Sequence, residues 1–194
     1  NDSFSTIVTT VKWGRGIYEN FKRFIQFQLT VNVASVLTVF ICAIVGLFVE
    51  GSHSPFSALD LLWINIIMDG PPALTLGLEP IRDDLMTRKP TARSESIVSK
   101  EMLRRIAVNG VFMCLVCLAQ QGFNFLGVEE NMVQTSVFTL FVMFQLFNAF
   151  NCRELGNKSV FSNLFKNKLM LGAFDIAFAL QIVITQFGGA VFDT

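Results

Sequence analysis

Charge is scarce in this chain. Only 15% of its 194 residues are Asp, Glu, Lys or Arg, while 52% are hydrophobic. A soluble domain of this length carries roughly 45–50% apolar residues even with glycine counted, so the composition excludes an ordinary soluble protein and marks a membrane protein. Net charge is also lacking: fifteen basic residues balance fifteen acidic ones, which gives no ground for a nucleic-acid or acidic partner. The N-terminus has no basic segment followed by an apolar core and cleavage site. It has no initiating Met either, and both absences suit a piece of a longer protein. Cysteine is sparse. Cys114 and Cys117 form Cys-Leu-Val-Cys inside an apolar run, but no second pair completes four metal ligands, so all four cysteines read as small packing residues. The single histidine, His53, sits in a polar turn and reads as a solvated loop residue. No internal repeat or low-complexity segment stands out.

What is abundant comes in blocks. Apolar stretches near 24–49, 59–78, 103–126, 133–151 and 169–190 are each long enough for a helix of about 20 residues to cross about 30 Å of hydrocarbon. The expected fold is all-α, a polytopic membrane helix bundle of five spans. All fifteen Lys and Arg lie before the first span, between the second and third, or between the fourth and fifth. The opposite loops hold Glu50, His53, Asp60, Glu129, Glu130 and Asp193 and no basic residue. The positive-inside rule then places the N-terminus in the cytosol and the C-terminus outside.

Residues 1–23 alternate polar and apolar without a proline and run into the first span, which predicts one continuous stalk-and-span helix. Glu50 to Pro55 is an outer turn of helix-breaking residues. The loop from Glu79 to Lys100 holds Pro80, Pro90, Asp83, Asp84 and several basic residues. It is either a docking surface or a solvated connector. Glu129 and Glu130 mark an outer turn, and Gly156-Asn157 marks the last inner loop.

Asp69 is the most informative residue. It stands inside Asn65-Ile66-Ile67-Met68-Asp69-Gly70-Pro71-Pro72, and an acid in lipid costs roughly 2.5–3.5 kcal/mol even on lenient insertion scales. Counting about 1.5 Å per residue from Leu59 puts it near mid-bilayer. Asn65 lies one turn earlier on the same face. Pro71 and Pro72 have no N–H, so the carbonyls of Ile67 and Met68 lose their usual helical partners. Free carbonyls at that depth are tolerated only where they line a cavity or face protein. A carboxylate, an amide and freed carbonyls are hard oxygen donors of the kind Ca²⁺ prefers. The blander reading is a proline-kinked helix with Asp69 protonated or paired to a neighbour.

Other polar groups lie within spans. Asn32 on the first and Gln145 on the fourth are possible ligands or neighbours of the site, while Asn148 reads as packing. Asp175 sits about two turns past Lys168 and is expected to reach the inner headgroups or a basic group. Ca²⁺ takes six to eight oxygens. These residues supply too few, so the remaining ligands belong to a helix outside the chain.

The residues around this acid resemble a known family. Asp2-Ser3-Phe4-Ser5-Thr6-Ile7-Val8 with Gly14-Arg15-Gly16-Ile17-Tyr18-Glu19-Asn20, and Leu62 to Ala73 ending in Leu78-Glu79-Pro80, resemble the C-terminal membrane half of type II P-type ATPases that pump Ca²⁺. The resemblance covers essentially the whole chain. It implies the fifth to ninth of ten membrane helices, with 1–23 as the stalk and end of the phosphorylation domain and 24–194 as the transmembrane domain. Asn65 and Asp69 match the sixth-helix ligands of the family's shared Ca²⁺ site. Two-site relatives add an Asn and Glu, a Thr and a further Glu; here those positions are Asn32, Ser35, Met68 and Gln145, so a single site is implied. Phe21 to Val33 and Gln181 to Gly189 resemble the plasma-membrane, calmodulin-regulated type, whereas Asp69-Gly70-Pro71-Pro72 is closer to the secretory-pathway type.

The resemblance further implies that ATP, Mg²⁺, the phosphorylated Asp and the fourth-helix Glu belong to a missing N-terminal half. Calmodulin would bind through a missing tail. The lipid membrane is the other partner, at the plasma membrane or an endomembrane. Three alternatives stay open: a secretory-pathway Ca²⁺/Mn²⁺ pump, a type II pump for Na⁺ or another cation, and a self-contained five-span channel or assembly subunit without ATP chemistry.

Overall fold

The computed structural model describes residues 3–49, 54–68, 70–91, 95–156, 159–160 and 164–187. Six α-helices and short 3-10 and π segments make up its regular structure, with no strand among the described residues. The first helix, α1, runs unbroken from Phe4 to Gly46. At about 1.5 Å per residue it is roughly 64 Å long, twice a hydrocarbon core, so stalk and span are one rod. Its buried residues, from Gly16, Asn20 and Arg23 through Phe27, Val31 and Ala34 to Thr38 and Cys42, recur every three or four positions. That spacing makes one face. Thr30 and Thr38 on this face donate their hydroxyls to the carbonyls of Gln26 and Ala34, each at 2.7 Å.

The second expected span is broken. Helix α2 covers Ala58–Trp63, a π segment Ile64–Met68, and helix α3 Gly70–Gly77. Ser57 and Asp60 form a capping box that starts α2, which explains why Asp60 is buried beside an outer turn. Pro71 and Pro72 fall in the first turn of α3, where a missing N–H costs nothing.

Helices α4 (Lys100–Phe123), α5 (Val133–Cys152) and α6 (Lys168–Phe187) complete the bundle. With α1 they are the four helices long and apolar enough to cross a membrane unbroken. Ser99 caps α4, accepting the Met102 N–H at 3.2 Å. The helix ends at Asn124, whose left-handed backbone (φ 44°) turns the chain. Gln120, fully buried, ties this outer turn to α5 by donating to Ser136 Oγ at 2.9 Å and accepting the Leu126 N–H at 3.1 Å.

Helix α5 is the centre of the bundle and packs against α1, α3, α4, α6 and the π segment. Val137, Phe138, Phe141, Val142 and Leu146 on it are fully buried. Phe56 meets Phe141 edge-on at 5.0 Å between ring centroids, a favoured aromatic geometry. The most extensive helix pair is α1 with α4. It closes at Gly110, where a Cβ would lie 2.8 Å from Val33 Cγ1. All four cysteines are free and buried.

Candidate cation site and its inner clamp

The broken segment and α1 together form a groove of about 490 Å³. Asn32, Ser35, Val36, Val39, Phe40 and Ala43 line it from α1, and Leu61 and Asn65 from the other side. The Asn65 amide nitrogen donates to the Leu61 carbonyl at 2.7 Å. Its amide oxygen is thereby left as the group able to ligate a cation. The groove opens to the surface, and Val36 and Phe40 in its lining are both more than half exposed. Asn32 and Asn65 thus reach one site, and Ser35 lies beside them, donating its hydroxyl to the Asn32 carbonyl at 3.2 Å.

Asp69 and His53 lie outside the described residues. Gln145 does not line the groove; it is fully buried on α5. Asn148 is buried one turn further along and accepts a long contact from Cys152 Sγ at 3.9 Å. Asp175 is exposed on α6. Among the described residues no three His, Cys, Asp or Glu side chains gather in a way that could hold a metal. A site here would therefore rest on amides, carbonyls and Asp69 rather than on a carboxylate or thiolate cluster.

Below the groove, at the end where every basic loop converges, lies a buried polar network that inspection of the sequence missed. Glu79, just past the end of α3, accepts from Arg153 Nη2 at 2.6 Å and Nε at 3.1 Å, and from Asn167 Nδ2 at 2.6 Å. Arg153, Glu79 and Asn167 are 3, 6 and 3% exposed. Asn20 on α1 donates to the carbonyls of Gly77 (3.0 Å) and Glu79 (2.8 Å), and Asn167 also donates to that of Thr75 (3.2 Å). The last carbonyls of a helix have no partner within it. Here side-chain amides from two other segments supply them. Arg23, bonded to Asn20 and Glu19, donates Nε to the Arg153 carbonyl at 2.8 Å.

The Glu79–Lys100 loop docks rather than floating free. Arg15 donates to the carbonyls of Leu85 (2.8 Å) and Arg88 (2.9 Å), Arg88 pairs with Glu19, and Lys22 with Glu95 at 3.6 Å. Arg82 clamps Glu154 with contacts of 2.6 and 3.1 Å. Burial alone would raise the Glu154 carboxyl, but Arg82 and the Gly156 N–H outweigh it and hold the group below its ordinary value. Burial lowers the Arg23 guanidinium, with Glu19 opposing. Nothing local in sequence pairs Glu79 with a residue 74 positions away.

The family described as cation transporting ATPase, C-terminus, matches residues 53–194. The chain belongs to that family. Among curated relatives of this ATPase family, calcium-transporting ATPase 12, plasma membrane-type, of Arabidopsis thaliana is 39% identical over 189 residues, 96% of the chain and 18% of the relative. The plasma membrane calcium-transporting ATPase mca-1 of Caenorhabditis elegans is 36% identical over 207 residues, covering 100% of the chain and 16% of the relative. Plasma membrane calcium-transporting ATPase 2 of Oreochromis mossambicus is 36% identical over 210 residues, covering 99% and 18%. The chain therefore spans less than a fifth of the length of these ATPases.

Proposed function

We propose that the chain is part of the membrane domain of an ATP-driven pump that exports cytosolic Ca²⁺ across the plasma membrane through a single intramembrane site. The observation that carries this reading is the groove that joins Asn32 of α1 to Asn65 in the π segment that precedes Asp69-Gly70-Pro71-Pro72 in sequence. Asn65 and Asp69 supply hard oxygens to the ion, with Asn32 beside them. Gln145 contributes from the bundle core through packing rather than as a groove-lining ligand. The relatives named above are calcium-transporting ATPases of plasma-membrane type, and the ion assigned here is theirs.

ATP and Mg²⁺ act in domains of the parent protein outside residues 1–194, and calmodulin would act on a segment outside them too. Phosphorylation there moves the α1 stalk, which changes the separation of groove residues on α1 and the broken segment. Asp69 alternates between an ion-bound carboxylate and a neutral or hydrogen-bonded form. Membrane vesicles carrying the full-length parent should take up Ca²⁺ on addition of ATP, with Mn²⁺ competing weakly. Uptake that is independent of ATP would favour a channel, and stronger transport of Mn²⁺ than Ca²⁺ would favour the secretory-pathway type.

A further inference from the structure

Helix α3 is a short rod, about 12 Å long for its eight residues. Its first residue, Gly70, directly follows Asp69, and Glu79 stands just beyond its last turn. On its outer side a π segment replaces ordinary helix, a departure from the regular hydrogen-bond ladder that is frequent at functional sites. The inner end is held quite differently. Asn20, Asn167 and Arg153 bind its carbonyls and the Glu79 carboxylate, all with buried side chains. A short helix clamped at its inner end takes its position from the clamp.

We propose that Glu79 is a positioning residue for the cation site. Its buried pair with Arg153, together with the Asn20 and Asn167 amides, sets the placement of α3 and so of the π segment that carries Asn65 into the groove. The clamp also joins this rod to the stalk. Asn20 and Arg23 lie on α1, the same unbroken helix that carries Asn32 twelve residues, about 18 Å, further in. A displacement of α1 thus reaches both sides of the groove at once: Asn32 directly, and Asn65 through Asn20, Glu79 and α3. A stability role alone would not require that the pair's partners include both the stalk and the last turn of the site helix.

This inference rests on the pump reading. Its test uses the full-length parent with Glu79→Gln, the double variant E79Q/R153Q, and Glu101→Gln as control, since Glu101 forms only a half-exposed pair with Arg105. Two quantities are read: phosphoenzyme formed from ATP against Ca²⁺ concentration, and phosphoenzyme formed from inorganic phosphate without Ca²⁺. Glu79→Gln is expected to raise the half-saturating Ca²⁺ concentration about tenfold, the low end for groups that hold ligands in place, while phosphorylation by phosphate is retained. The double variant should shift the midpoint little further than Glu79→Gln alone, because the two side chains act as one unit. The proposal is overturned if Glu79→Gln leaves the Ca²⁺ midpoint within twofold of wild type. A fall in both phosphoenzyme levels without a midpoint shift, or an equal shift in Glu101→Gln, overturns it too. Failure of the pump reading itself is separately visible as Ca²⁺-independent phosphorylation in the wild-type protein.

Discussion

Arg153 at the end of α5 holds the Glu79 carboxylate at 2.6 Å beyond the end of α3, and both side chains are buried. Removing one partner of such a pair strands the other charge, which costs about 3–5 kcal/mol. Arg153→Ala should therefore lower the thermal-inactivation midpoint of the parent protein sharply. Glu79→Gln, which keeps one acceptor oxygen for Arg153 but turns a donor NH₂ toward Asn167 Nδ2, should cost less, because Arg153 retains that oxygen and the Val160 carbonyl. Equal losses would mean that the charge pairing, not the hydrogen bonds that remain, carries the stability of the pair.

The Arg82–Glu154 clamp gives a pH dependence with a definite sign. Glu154 is held below its ordinary carboxyl value of 4.5 in the folded protein. A group depressed in this way adds stability above its unfolded pKa and loses it as pH falls through the folded one. The wild-type melting midpoint should fall on acidification below about pH 4.3 more steeply than that of Glu154→Gln. Parallel curves for the two proteins would show that the clamp adds nothing.

Gly110 marks the closest approach of α1 and α4. A methyl there would come within 2.8 Å of Val33 Cγ1 and 3.4 Å of the Thr30 carbonyl, so Gly110→Ala should destabilise the bundle by about 1–3 kcal/mol, as overpacking does. Small residues let membrane helices approach this closely. Adding Val33→Ala should restore much of the loss, as read by thermal melts of the detergent-solubilised parent. A double variant no more stable than Gly110→Ala would place the strain elsewhere.

Asn65 lines the groove with an amide oxygen free to ligate, whereas Ser35 beside it donates its hydroxyl to Asn32. Asn65→Ala should raise the Ca²⁺ concentration for half-maximal phosphorylation of the parent at least tenfold, on the scale of a lost ligand. Ser35→Ala should change it little. A reversed order would move the ligand role to α1.

The long apolar blocks made most of the bundle legible, because a membrane demands continuous helices and admits few charges. Gly70, Pro71 and Pro72 announced the break in the second span, yet not its form: a π segment before Asp69 and a new helix after it depend on how the surroundings take up the freed backbone groups. Asn32 and Asn65 stood out as polar residues in apolar runs, and the fold brings both to one groove. Gln145 stood out equally and instead lies in the core, since an intramembrane amide looks the same in sequence whether it packs or lines a cavity. The Glu79–Arg153–Asn167 clamp was not legible at all. Its members sit in three separate segments, each looking like an ordinary charged or polar residue near a span end, and only tertiary packing joins them. The Glu79–Lys100 loop was balanced between connector and docking surface, and Arg15 and Arg88 tie it to the stalk.

Phosphorylation of the full-length parent by ATP, measured against Ca²⁺ concentration for wild type and Asp69→Asn, tests the single-site pump most directly. With Asp69 as the ligand carboxylate, Asp69→Asn should abolish Ca²⁺-dependent phosphoenzyme while phosphorylation by inorganic phosphate without Ca²⁺ persists. A Ca²⁺ dependence in Asp69→Asn indistinguishable from wild type would contradict it.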